Sequence, residues 1–321
     1  MTVLPEGWTL RRPTLDDATA ILAMVHACDI ASVGAPDFLL EEVRESLLEP
    51  NTDMSRDCWL ALDETGTVVG WAYPYNPTGG TRDFFNVYAW PDRGLPALRP
   101  LVELIMDRMA ERAAEFGHDP YELRSGAVAT EKPLIEALTE AGLVFLKQHA
   151  RMQMPLDGVP ATIPEPPPGV LVRPARPDDE AEMRAFQAVI EEAFRDTDHF
   201  SVGYDEWRQQ LATQEYIPYD EWFVAEADGR IVGALQSSGP AEEEEGWVSR
   251  LAVLRPYRKR GIGEALLRRA FAAYAAHGRT KAGLGVDLEN PTAAVRLYES
   301  VGLDALYRAN IYRTYVAARA A

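Results

Sequence analysis

The sequence begins twice. Residues Val170 to Asp179, V-L-V-R-P-A-R-P-D-D, repeat the pattern of Trp8 to Asp17, W-T-L-R-R-P-T-L-D-D: a short apolar run, an arginine, a proline and two aspartates. An echo at half the chain length constrains the fold more than any single motif, because it calls for two similar domains of roughly equal size. Between the copies, Asp157 to Gly169 reads D-G-V-P-A-T-I-P-E-P-P-P-G, with five prolines and no apolar period, so it is a stiff, extended linker. This reading divides the chain into residues 1–157, a linker at 158–169, and residues 170–321.

The 321 residues suffice for two hydrophobic cores, and 47% hydrophobic with 26% charged residues is ordinary globular usage. Each half reads as strands and helices in similar order. In the first, a strand at Trp8–Arg12 precedes a helix that Thr14 or Asp16 can cap, with Ala18, Ile21, Leu22 and Val25 on its apolar side. Next in order are a second helix over Phe38–Leu48, a hairpin of Cys58–Leu62 with Val68–Tyr73, a strand at Phe84–Trp90 and a long helix to Phe116. In the second half the corresponding pieces are helices over Asp179–Phe194 and Tyr204–Ala212, and a hairpin turning at Asp228-Gly229. Then come a strand at Trp247–Leu254 and a helix over Leu266–His277.

Composition excludes several functions. A formal net charge of -18 disfavours nonspecific attraction to nucleic acid or to an anionic membrane surface. No apolar run is long enough to span a bilayer and the first residues lack a secretory signal, so a cytoplasmic protein is expected. The two cysteines, Cys28 and Cys58, read as buried thiols, and five scattered histidines give no support for a metal site.

The chemistry concentrates in Glu245 to Leu267, E-G-W-V-S-R-L-A-V-L-R-P-Y-R-K-R-G-I-G-E-A-L-L. An apolar strand runs into a basic, glycine-punctuated turn that opens a helix, whose first N–H groups have no acceptor within the helix. Partial positive charge and close backbone approach make such a turn an anion site. Glu264 and Ala265 stand where the nucleotide phosphate motif has lysine and a hydroxyl, so that motif is excluded. In the first half the equivalent turn keeps only Gly94, and Pro96, which has no N–H, stands near the second glycine position.

Arg258-x-x-Gly261-x-Gly263, after a strand ending Leu251-x-Val253, resembles the pyrophosphate loop of the GNAT superfamily of N-acetyltransferases. Downstream, Leu288-Glu289-Asn290-x-x-Ala293-x-x-Leu297-Tyr298-Glu299-x-x-Gly302-Leu303 resembles the strand-to-helix ending of the same family. The resemblance covers about Val170 to Val316, and the first half shares its element order but not its loop. It implies an α/β fold of two tandem GNAT-like domains, each a mixed, mostly antiparallel sheet with flanking helices, the first a degenerate copy. It also implies acetyl-coenzyme A as cosubstrate, no metal, and transfer of the acetyl group to a primary amine of a small molecule, in a monomer or homodimer. The acidic balance suits a cationic acceptor such as an aminoglycoside or polyamine. A mycothiol-synthase-like acetylation of a cysteinyl pseudodisaccharide, protein amino-terminal acetylation and a nonenzymatic coenzyme A responsive protein are the alternatives.

By the same resemblance, backbone N–H groups around Arg260, Gly261, Ile262, Gly263 and Glu264 cradle the pyrophosphate, and the basic side chains of Arg258, Lys259 and Arg260 add longer-range attraction. The main chain at Leu251, Val253 and Leu254 meets the pantetheine arm. Tyr298 matches the tyrosine that donates a proton to the leaving thiolate. Asn290 positions the pantetheine or caps the following helix. Glu245, ahead of Glu244, is the candidate base, although the E-E-E-E run reads equally as a solvated loop. Trp222 and Trp247 are candidates for the wall of the acceptor cavity, with core packing as the alternative for each, and His199 and Tyr204 lie where the family shapes its acceptor pocket.

Overall fold

The structure, a computed structural model, describes residues 3–159, 163–197, 201–212, 214, 216–239, 244–289 and 294–319. It divides into two compact units, Met1–His149 with Tyr307–Ala321 and Ala150–Leu306. Relative to boundaries at residues 157 and 170, residues 150–169 are thus grouped with the second unit and 307–321 with the first.

Unit 1 opens with β1 (Thr9–Arg11), α1 (Ala18–Val33), α2 (Leu40–Leu47) and the single turn α3 (Met54–Asp57). A meander of β2 (Trp59–Leu62), β3 (Val68–Tyr75) and β4 (Arg82–Ala89) leads to α4 (Leu98–Phe116), β5 (Tyr121–Val128), α5 (Lys132–Glu140) and β6 (Val144–Pro155), whose last residues belong to unit 2. Antiparallel pairing joins β1 to β2, β2 to β3 and β3 to β4, whereas β4 and β5 are parallel, as a strand-helix-strand connection requires. Each helix buries one stripe. On α1 it is Ala18, Ile21, Met24, Val25 and Cys28 against one face of the sheet; on α4 it is Leu98, Leu101, Ile105 and Met109 against the other. Beneath α4, Arg112 joins Asp83 at 2.9 Å and Asp57 at 2.8 Å in a buried ion network that Arg108 extends. Burial of that kind is tolerated because every charge is paired.

Unit 2 repeats the plan with β7 (Leu171–Pro174), α6 (Glu180–Phe194), α7 (Tyr204–Ala212), β8 (Phe223–Ala227), β9 (Arg230–Ser238) and β10 (Glu245–Val253). After them come α8 (Ile262–Ala276), β11 (Lys281–Asp287), α9 (Ala294–Ser300) and β12 (Asp304–Val316). Asp179 caps α6 by accepting from the N–H groups of Ala181 and Glu182. Antiparallel β7-β8-β9-β10 is continued by parallel β10-β11, with α8 on one face and α6 and α7 on the other. The residues of β12 from Tyr307 on belong to unit 1, where Ala309 to Val316 pair antiparallel with β5. Where sequence pattern starts a helix at Leu266, α8 begins four residues earlier, because Gly261, at φ 78°, turns the chain directly into it.

Candidate active site

The site of unit 2 is built around one strand. β10 pairs with β11 from Glu245↔Lys281 to Val248↔Leu284 and no further, although β10 runs on to Val253 and β11 to Asp287. The two strands therefore part midway and leave a slot. At the same place the register between β9 and β10 slips, passing from Val248↔Ser237 to Arg250↔Gln236 with Ser249 as the extra residue. This bulge reverses the alternation of β10. Before it Val248 packs in the cluster under α8; beyond it Ala252 joins the opposite cluster, while Leu251 and Val253 turn towards α8. Beyond the bulge, Leu251 to Val253 face β9 on one side and the slot on the other, so their free backbone groups can pair with an amide-bearing arm.

The slot ends at the basic turn. Gly261 is the N-cap of α8 and provides no side-chain cap, which leaves the first N–H groups of the helix open. Lys259 also takes a left-handed φ, 61°, and the exposed Lys259, Arg260 and Gly261 form the tip. Ile262 is buried and anchors the turn. A Cβ on Gly263 would lie 3.0 Å from Leu297 of α9 and 3.9 Å from Leu251 and Val253, so the glycine lets α8, α9 and the end of β10 converge. Arg258 does not reach outward: Nε donates to the Val253 carbonyl at 2.9 Å and Nη2 to that of Ala193 at 3.0 Å, tying the turn to β10 and to the end of α6. Glu264 pairs with Arg268 one turn on. Acetyl-coenzyme A fits this donor set on two counts, an uncapped helix start for its phosphates and a parted strand for its amide arm.

Tyr298 sits on α9 beside Leu297, partly buried against the cluster under α8. Burial pushes its phenol up to about 12, so the hydroxyl stays protonated through neutral pH. Among the described residues no group bonds that hydroxyl. The family's carry-over to Asn290 and the candidate His199 lie outside the described residues, as do Glu242 and Glu243.

At the paired end of the slot, Glu245 and Trp247 share a face with Arg151 and Gln153 from β6. The Glu245 carboxylate accepts from Arg151 at 2.6 Å and from Gln153 at 3.0 Å, and the Arg151 guanidinium lies 4.6 Å over the Trp247 ring. Gly283 makes this possible, because a Cβ there would overlap the Glu245 carboxylate and crowd Trp247. Glu244 contributes its backbone: its carbonyl accepts from the N–H groups of Thr280 and Lys281. Trp222 lies elsewhere. It is 1% exposed, stacked 5.3 Å from Phe186, with its indole N–H donating to the Ser237 carbonyl. The cavity-wall reading of Trp222 thus gives way to core packing, since an indole with a satisfied N–H and no exposed face has nothing to offer an acceptor. Tyr204, at the start of α7, donates to Glu180 at 2.9 Å and carries Arg184 over its ring.

Sequence reasoning missed the support beneath this end. Arg279 is 4% exposed; its Nε and Nη2 donate to the two carboxylate oxygens of buried Glu221 at 3.0 Å each, and Nη1 donates to the Glu245 carbonyl at 2.8 Å. Gly246 rests directly on the Tyr274 ring, whose hydroxyl meets Ser237 at 2.6 Å. These bonds fix where β10 enters the sheet. Alternation along β6 places Arg151 and Gln153 on one face, but nothing in sequence names their neighbour across the sheet.

Comparison with known proteins matches this architecture. The Acetyltransferase (GNAT) family model aligns with residues 183–303. The mycothiol acetyltransferase of Streptomyces griseus is 35% identical over 304 residues, covering 92% of this chain and 93% of its own, and that of Streptomyces coelicolor is 30% identical over 315 residues, 94% of each. A GCN5-related N-acetyltransferase from Sphaerobacter thermophilus superposes with a TM-score of 0.85 at 25% identity over 98% of both chains. A tandem GNAT protein from the clavulanic acid biosynthesis pathway shares the fold at a TM-score of 0.65 and 16% identity, over 96% of this chain and 98% of its own. The chain belongs to the GNAT superfamily and is an acetyl-coenzyme A dependent N-acetyltransferase. Within that superfamily it is homologous to the mycothiol acetyltransferases and shares a tandem layout. No helix among the described residues is long and apolar enough to cross a membrane, and no group of three or more potential ligands among them could hold a metal ion.

Proposed function

We propose that the acceptor is the cysteine amine of a pseudodisaccharide, the mycothiol-type substrate, and that unit 2 performs the transfer. The observation that carries this is 35% identity to a mycothiol acetyltransferase along nearly the full length of both chains. A small cationic amine drawn in by free carboxylates has less behind it, because both oxygens of Glu245 already accept bonds from Arg151 and Gln153.

Coenzyme A supplies the acetyl group as a thioester, which direct attack by a neutral amine converts to an amide. In this reading the open N–H groups from Arg260 to Glu264 hold the pyrophosphate, and the free edge from Leu251 to Leu254 aligns the pantetheine. The amine nitrogen attacks the acetyl carbon, the carbon–sulfur bond breaks, and the amine proton leaves to water. The sulfur takes its proton from the Tyr298 hydroxyl, which solvent then restores. Arg258 keeps the turn in place, and Trp247, flattened over Gly283 and Gly285, forms the floor on which the acceptor rests. Unit 1 is the degenerate copy.

Thiol release from acetyl-coenzyme A tests the acceptor. The cysteinyl pseudodisaccharide should give a kcat/KM about a hundredfold above any aminoglycoside or polyamine, the order of discrimination that buried polar contacts provide. Preference for a polyamine, or no turnover of the pseudodisaccharide, would overturn the assignment while leaving the family membership intact.

A further inference from the structure

We propose that a pocket built wholly from unit 1 is a second ligand site, taking a small molecule through a carboxylate or phosphate group. The pocket has a volume of about 250 Å³ and is lined by α4, α3, the first residue of β2 and Arg12 just after β1, with Arg56, Trp59, Asp107, Arg108 and Glu111 among its walls. Nearly every charge in it is answered by another. Arg56 pairs with Glu115 at 2.7 Å, Arg108 with Asp57, Glu111 and Glu115, and Asp107 with Arg319 at 3.2 Å.

Arg12 is the exception. Its guanidinium carbon lies over Trp59, 3.9 Å from the ring centre, and one N–H donates to the Cys58 carbonyl at 2.8 Å. Among the described residues no carboxylate pairs with it. Burial lowers its pKa and the neighbouring Arg108 adds to that cost, while Cys58, Asp57 and Asp53 act in the opposite direction. A guanidinium has five N–H donors, and those left over from one carbonyl bond keep the fork geometry that carboxylate and phosphate oxygens match. The wall therefore carries a guanidinium that no carboxylate among the described residues bonds, in a chain whose formal net charge is -18, where general electrostatics draws in no anion. The fold does not demand this arginine: in the echo of Trp8–Asp17 the second copy has Pro174 in its place.

The test uses the full chain with coenzyme A saturating, so that the basic turn of unit 2 is occupied. Inorganic phosphate and acetate are titrated separately at constant ionic strength against chloride and monitored by calorimetry. Saturable binding of either is expected, and the stronger of the two tells a phosphate ester from a carboxylate ligand. Arg12→Gln should weaken it about tenfold or more, the scale of one charge-assisted hydrogen bond, with Arg12→Lys intermediate and the KM for acetyl-coenzyme A unchanged. Asp107→Asn removes a negative charge from the wall and provides the opposite sign, about threefold tighter binding. No saturable binding to the wild type, equal binding to R12Q, or weaker binding to D107N overturns the proposal.

Discussion

Both units part a pair of parallel strands at the same point, and only one of them has a helix start open to an anion. In unit 1, β4 and β5 pair over Arg82–Phe85 and Glu122–Ser125 and then separate, four pairs as in β10 and β11. The mouths of the two openings differ. Gly94 is packed against the backbone of its own chain: a Cβ there would overlap the Trp90 nitrogen and the Val69 carbonyl. The next turn contains Pro96, so α4 begins without that N–H. The helix α1 is bonded to both rims, with the Cys28 thiol donating to the Ala89 carbonyl at 3.1 Å and Thr130 donating to the Ser32 carbonyl at 3.0 Å. The β3–β4 register is unbroken where β9–β10 carries its bulge. The fold thus produces an opening twice as a consequence of strand twist and crossover, and a few residues at its mouth decide what the opening can hold.

Three substitutions bear on this contrast, in order of expected effect. Gly94→Ala forces a methyl into backbone and should destabilise unit 1 by about 4 kcal/mol, measured by chemical denaturation, with coenzyme affinity of the folded protein unchanged. Loss of coenzyme affinity in a folded G94A protein would break the division of labour between the units. Tyr298→Phe should lower kcat about a hundredfold, the general-acid contribution, while coenzyme dissociation constants stay within about threefold. The wild-type kcat should show no ionisation of Tyr298 below about pH 11, because a phenol raised to about 12 keeps its proton as pH rises until that value is approached. An alkaline limb near pH 9 that disappears in Y298F would contradict the burial of that phenol.

Gly263→Val is the mildest. Its side chain meets Leu297, a tip that can shift, so coenzyme should bind about tenfold more weakly. Calorimetric titration of the wild type should give one coenzyme per chain. A second site that survives in G263V would place it in unit 1 and sink the reading of that unit as degenerate.

Local signals carried most of the element order. The α1 stripe at Ala18, Ile21 and Val25, the Asp179 cap of α6 and the Asp228-Gly229 turn between β8 and β9 each depend on neighbours within a few residues, and such patterns survive in a string of letters. The basic turn was equally legible, since glycine spacing and a helix start are local facts. The bulge at Ser249 was not, because a bulge is a mismatch between two strands and exists only once β9 is laid beside β10.

Sequence by itself determined the duplication, the glycine turn at Arg258–Gly263 and its counterpart at Gly94–Pro96, which keeps one glycine. Tertiary structure alone decided that Trp222 is core, that Arg258 binds carbonyls of Val253 and Ala193, and that Glu245 is held by Arg151 from a strand 94 positions earlier. It alone also showed that Arg12 lines a pocket, bonded to the Cys58 carbonyl and to no carboxylate among the described residues. The reason is physical. Backbone preference and capping act over a few residues, whereas the partner of a charge or an indole is set by which strands and helices the topology brings side by side.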